Sequence, residues 1–152
     1  MAQDDGKPKK LVRRYGFELN ETLYPQKSPQ ETMKSIALAL KRGKVDYMLA
    51  FLVDPVYVDY WVNRYKKVYK QGREEARVLL AFDRLARETN QYYLDEPYVL
   101  RELRTFAKEG EWKEDGDLAE GTVKSLPARK MYLRRIDERW VLENGQQDRP
   151  AK

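Results

Sequence analysis

The hydrophobic pattern of this chain changes period once, at Gly110, and that change restricts the fold more than any other feature. From Ser28 to Lys108 apolar residues recur at spacings of three and four, as on a helix with one buried face. Past Gly110 they alternate: Ala119, Gly121 and Val123 set against Glu120, Thr122 and Lys124, as on a sheet with one wet face. Helices followed by short strands with tight turns make an α+β domain, with N-terminal helices packed on one face of a C-terminal antiparallel sheet.

Local signals divide the helical part. In Ser28-Pro29-Gln30-Glu31 a capping serine precedes a proline at the first helical position and a glutamate that completes a capping box. Met33, Ile36, Ala37 and Leu40 then share one face, and Gly43 can end the helix in a left-handed conformation. A second helix is expected over about Lys44–Val53, apolar enough to be largely buried. Asp54-Pro55 repeats the cap-then-proline signal and opens a third helix to about Tyr69. Glu74–Thr89 forms the next, Asn90–Leu94 reads as a loop, and Asp95-Glu96-Pro97 opens the last, through about Lys108. Strands are expected at Glu111–Lys113, Leu118–Leu126, Arg129–Ile136 and Arg139–Asn144, with a hairpin turn at Glu114-Asp115-Gly116-Asp117 and a further turn at Asp137-Glu138. Tyr15-Gly16-Phe17-Glu18-Leu19 reads as an edge strand or an extended arm. The organisation is thus a polar leader and arm over 1–27, one α+β domain over 28–146 and a disordered tail over 147–152.

Composition excludes more than it assigns. With 152 residues, 41% of them hydrophobic, the chain can bury a core, and it contains neither histidine nor cysteine. Cys/His zinc sites, cysteine-ligated clusters, Ser–His–Asp or Cys–His nucleophilic machinery and disulfides are therefore ruled out. No apolar run approaches the roughly 20 residues of a membrane-spanning helix. The net charge of +5 is spread through segments of both signs, whereas a nucleic-acid binder concentrates its excess on one face. Met1–Lys10 is polar and has no apolar segment. It suits a cytosolic leader or, with Ala2-Gln3 as the residues after a small-residue cleavage site, a mature exported chain. The residues alone leave both readings open.

Candidate groups are few. At about 100° per residue, Tyr57, Tyr60, Trp61 and Val68 fall within about 60° of Arg64, making Arg64 the one charge in the apolar arc of its helix. A guanidinium there must reach water, a carboxylate or a ligand anion. Arg64, Tyr60, Trp61 and Tyr47 are accordingly the candidate ligand-binding residues. Arg64-Tyr65-Lys66-Lys67-Val68-Tyr69-Lys70 mixes cations with aromatics as single-strand binders do, but the helix separates Lys66 and Lys70 from most of the aromatic arc. Asp46 and Tyr47 are neighbours about 100° apart on a helix and do not converge. Asp54 reads as a cap. Glu111, Glu114, Asp115, Asp117 and Glu120 lack the ligand loop of a calcium site and read as a solvated hairpin. No catalytic set, metal set or cofactor motif is expected.

Two stretches resemble small bacterial proteins of the nuclear-transport-factor-2-like superfamily. One is Lys44-Val45-Asp46-Tyr47-Met48-Leu49-Ala50-Phe51-Leu52-Val53-Asp54-Pro55. The other is Gly116-Asp117-Leu118-Ala119-Glu120-Gly121-Thr122-Val123 with Tyr132-Leu133-Arg134-Arg135-Ile136-Asp137-Glu138-Arg139-Trp140-Val141-Leu142-Glu143-Asn144. The resemblance implies a cone of curved sheet wrapped on helices, often in an exported protein, with homodimerisation through the open sheet face compatible with such a fold. Its members include enzymes and non-enzymatic partners alike, and no catalytic residue carries over. The expected function is a non-enzymatic ligand-binding or protein-interaction module, with a small-molecule or protein partner. The alternative is a cyclase- or isomerase-type enzyme using Asp and Tyr in a cone pocket.

Overall fold

Ser28 opens the first long helix as its sequence demands. Its hydroxyl accepts from Glu31 N at 3.1 Å, and Glu31 reaches back to Lys27 N at 2.8 Å, one residue beyond the usual capping-box partner. Helix α1 (Pro29–Lys41) ends in a Schellman arrangement, Lys44 N to Ala39 O and Gly43 N to Leu40 O, with Gly43 at φ +70°. The computed structural model describes residues 12–143. Among them the elements run β1 (Arg13–Arg14), β2 (Phe17–Glu18), α1, α2 (Val45–Tyr47), a π-helical segment (Met48–Leu52), α3 (Pro55–Lys66), α4 (Glu74–Asp95), α5 (Pro97–Glu109), β3 (Glu111–Asp115), β4 (Leu118–Thr122), β5 (Lys130–Ile136) and β6 (Arg139–Leu142). The architecture is α+β: α-helices ahead of a four-stranded antiparallel sheet in the order β3-β4-β5-β6, plus a separate two-stranded hairpin of β1 and β2. The polar residues at the start of the expected leader and the tail expected over 147–152 lie outside the described residues.

Several expectations are corrected. The helix expected over Lys44–Val53 is a short α-turn running into a π-helix, closed by Val53 N to Met48 O at 3.1 Å. Asn90–Leu94 is not a loop: α4 continues to Asp95. No glycine or proline interrupts it before Pro97, Gln91 Nε2 bonds Asp95 Oδ1 one turn on, and Tyr93 packs inward against Met48. Leu118–Leu126 is strand only to Thr122. Asp115 pairs with Leu118, so the turn is the two residues Gly116-Asp117, with Gly116 at φ +63° as a type II′ turn needs at its first central position. Tyr15–Leu19 is no edge of the main sheet but part of its own hairpin, turning at Tyr15-Gly16.

The core lies between the helices and one face of the sheet. Met33, Ile36, Met48, Leu49, Leu52, Phe106, Leu133 and Trp140 are essentially solvent-free, each burying an amount worth about 1.5–3 kcal/mol. Helix α1 packs against α5, the π-helix and β6, while α3 lies along α4. On α3 the buried residues are Val58 and Val62, so the inward direction lies more than about 100° from Arg64. Arg64 therefore stands outside the buried face, not within an apolar arc that faces the core.

The two sheet edges differ. At β3 no strand among the described residues covers the backbone edge, whose residues are Glu111, Lys113, Glu114 and Asp115 with the half-buried Trp112. At β6 the edge is occupied. Trp140 N donates to Gln26 O, Gln26 Nε2 donates to Trp140 O, and Thr32 Oγ1 donates to the same carbonyl, at 2.8–2.9 Å. Val53 adds a one-residue parallel bridge to Leu142, and Asp54 N donates to Leu142 O.

Candidate functional site

A helix ending at Leu52 must place its last carbonyls somewhere. Pro55 has no N–H to give Ala50 O. The N-terminal arm supplies the missing donors: Arg14 Nε to Ala50 O at 2.7 Å and Gln26 Nε2 to Phe51 O at 2.9 Å. Arg14 is itself held by Asp59, NH2 to Oδ1 at 2.8 Å, and Tyr15 donates to the same oxygen at 2.6 Å. Burial and the Asp59 hydrogen bond push the Tyr15 phenol well above its ordinary value. Gln26 is fully buried, and its Oε1 has no donor among the described residues, because both carbonyls claim the amide nitrogen.

Where the arm, the π-helix and the β5–β6 turn meet, they leave a cleft of about 210 Å³. Its walls are mostly apolar, with Val12 from the arm, Ala50 and Phe51 from the π-helix and Ile136 and Val141 from the sheet, and Arg14, Asp137 and Arg139 at the charged positions. Two signs of functional backbone converge here. The π-helix is a rare element that recurs at functional sites. The turn Asp137-Glu138 holds both residues at positive φ, +50° and +65°, a conformation that hairpins ordinarily give to Asn-Gly. Arg14 is spent on Ala50 O and Asp59. Arg139 is half-buried and has no hydrogen-bond or ion-pair partner among the described residues.

The residues expected from sequence are not gathered in one place. Tyr60 and Arg64 are exposed on α3, Tyr60 edge-on to Trp61 and the Arg64 guanidinium 5.8 Å from the Trp61 ring centre. Tyr47 is buried elsewhere, its ring 5.1 Å from Phe51, its hydroxyl accepting from Asn20 N at 2.8 Å. Burial raises its pKa, and the nearby Arg139 charge acts the other way. Tyr47 thus backs the cleft wall through Phe51, while Tyr60, Trp61 and Arg64 take no part in it. Asp46 Oδ1 is turned to Tyr47 N. Asp54 caps α3 through Val56 N and takes a bidentate Arg134 at 2.7 and 2.8 Å. Among the acidic hairpin residues Asp117 takes Arg135 and Glu120 takes Lys130, and no three described carboxylates cluster to hold a metal.

The basic and aromatic stretch of α3 faces α4. Tyr65 donates to Glu88 at 2.5 Å, Arg84 lies 4.1 Å over the Tyr65 ring and also pairs with Glu88, and Lys66 pairs with Glu74. Burial and the Glu88 contact push the Tyr65 phenol up to about 12. A shallow depression beside it is lined by Tyr69, Arg84, Arg87, Glu88 and Gln91, its walls polar and its cations Arg84 and Arg87 paired. No helix among the described residues is long and apolar enough to cross a membrane.

Arg139 and Asp137 escaped the sequence reading because a cation at the start of a short strand carries no local sign of function. The only hint was an Asp-Glu pair in a turn that favours Asn-Gly. No protein-family model, curated protein or solved structure matches the chain.

Proposed function

We propose that this protein is a non-enzymatic ligand-binding module and that its ligand enters the cleft between the arm, the π-helix and the β5–β6 turn. The observation that carries the reading is the pairing of an apolar-walled cavity with a strained turn and a cation that has no ion-pair partner among the described residues, the combination of shape and few polar groups that small-molecule sites share. The nuclear-transport-factor-2-like resemblance belongs to the same proposal, supported by helices that precede an antiparallel sheet. An Asp/Tyr enzyme would need its carboxylate desolvated beside the phenol. The Tyr15–Asp59 pair is the nearest arrangement, but Asp59 is 45% exposed and neutralised by Arg14, which favours binding over acid–base chemistry. The test is a fragment library of neutral, anionic and cationic compounds followed by amide NMR. Hits that shift Val12, Ala50, Phe51, Ile136 and Arg139 together are expected; a library that moves none of these, or only residues of α3 and α4, overturns the reading.

A further inference from the structure

Resting on that reading, the geometry points to a ligand class for the cleft: we infer that it takes a small apolar carboxylate. The guanidinium of Arg139 is the reason. Arg139 is half-buried and lines a mostly apolar cleft, and a cation in that position is stabilised most by an anion that brings its own apolar body. Carboxylate and phosphate both match the planar guanidinium through two parallel hydrogen bonds, and the carboxylate, smaller and singly charged, is the one that suits an apolar-walled cleft of about 210 Å³. Arg14 does not compete for it, since Ala50 O and Asp59 already hold that side chain. Asp137 also lines the cleft but forms no ion pair with Arg139, so it does not occupy the guanidinium's hydrogen-bond donors.

The walls set the rest of the molecule. Val12, Phe51, Val53, Pro55, Ile136 and Val141 offer no hydrogen-bonding side chain, so the remainder of the ligand must be hydrocarbon. A volume of about 210 Å³ lies below the roughly 300–1,000 Å³ of drug-sized sites, which limits that hydrocarbon to a short branched chain or a single ring. Tyr47, tilted against Phe51 and tied to Asn20, supports that wall from behind.

The experiment uses three probes that share one hydrocarbon chain, tested on the whole protein: 4-methylpentanoate, its planar isostere 4-methylpentanamide and the cation 4-methylpentylammonium, each titrated while the amides of Ala50, Phe51, Ile136 and Arg139 are followed. The carboxylate is expected to bind at least tenfold tighter than the amide, with the ammonium weakest. Arg139→Met should erase the difference between carboxylate and amide, and Arg139→Lys should restore it only in part, since a lysine keeps the charge and loses the fork. Equal binding of amide and carboxylate to the unaltered protein overturns the carboxylate inference while leaving a ligand cleft standing. Failure of all three probes, together with an empty fragment screen, removes both. The probe series on the unaltered protein decides the matter even if a variant fails to fold.

Discussion

Along β6 the sheet ends against the buried amide of Gln26; along β3 it ends in water. An edge strand exposes a row of unpaired N–H and C=O groups, and each end of this sheet deals with them differently. At β6 they are consumed: Gln26 acts as a surrogate strand, its carbonyl taking a bond from Trp140 N and its side-chain amide giving one to Trp140 O, with Thr32 a second donor to that same carbonyl and Asp54 N serving Leu142 O. At β3 no strand among the described residues pairs with them, and the sequence Glu-Trp-Lys-Glu-Asp discourages another strand from docking. The closed edge is internal architecture, where satisfaction of buried groups sets stability. The open edge is a surface, where charge governs association.

The largest effect is expected at the closed edge. Gln26→Ala strips Phe51 O of its side-chain donor, leaves Trp140 O only Thr32, and empties a fully buried site; it should cost about 3 kcal/mol, 1–3 kcal/mol for the one carbonyl left unsatisfied and the rest for the cavity. Urea denaturation measures it, and a loss below about 1 kcal/mol would mean that the amide is not what closes the edge. A smaller effect is expected one strand in from the open edge. The Trp112 ring lies flat on Gly121, its cross-strand partner, where any Cβ would collide with the ring. Gly121→Val should lift the indole into water at a cost of about 1–3 kcal/mol, read as a red shift in tryptophan emission together with a lower midpoint. The smallest stability effect belongs to β3 itself. Replacing Glu111, Lys113 and Glu114 together by threonine should change stability by no more than about 0.5 kcal/mol, yet light scattering should show concentration-dependent association of the native protein. If that triple variant stays monodisperse, charge is not what guards the open edge.

What could be read ahead of the structure follows the same division. The helix-to-strand order was legible because period is a local property, and so were both caps, since Ser28 and Asp54 act on residues two and three positions away. The π-helix was not. Met48-Leu49-Ala50-Phe51-Leu52 is apolar at every position and buried all round, so it carries no phase from which to count a turn. The contacts that hold it there come from Arg14 and Gln26, polar side chains in an irregular arm whose partners are distant in sequence. Extension of α4 through Asn90–Leu94 was missed because its polar outer residues suggest a loop, although nothing before Pro97 can break a helix. Of the candidate site, Tyr47 was legible only as a tyrosine beside an aspartate, and its place behind Phe51 depends on packing that no spacing rule encodes. The side of α3 on which Arg64 stands is not legible from its aromatic arc, because the smaller Val58 and Val62 mark the inward face.

The π-helix also limits how the chain can vary in length. Each residue added to or removed from a helix turns everything beyond it by about 100°. Met48–Leu52 lies between fixed points, with Val45 and Tyr47 packed in the core before it and Val53 bridged to Leu142 after it. Dropping one residue would rotate Phe51 off the cleft wall and bring Val53 to the sheet out of step. Side chains here can be exchanged for others of similar bulk, but the number of residues cannot change, and insertions or deletions in related chains should fall on either side of this segment.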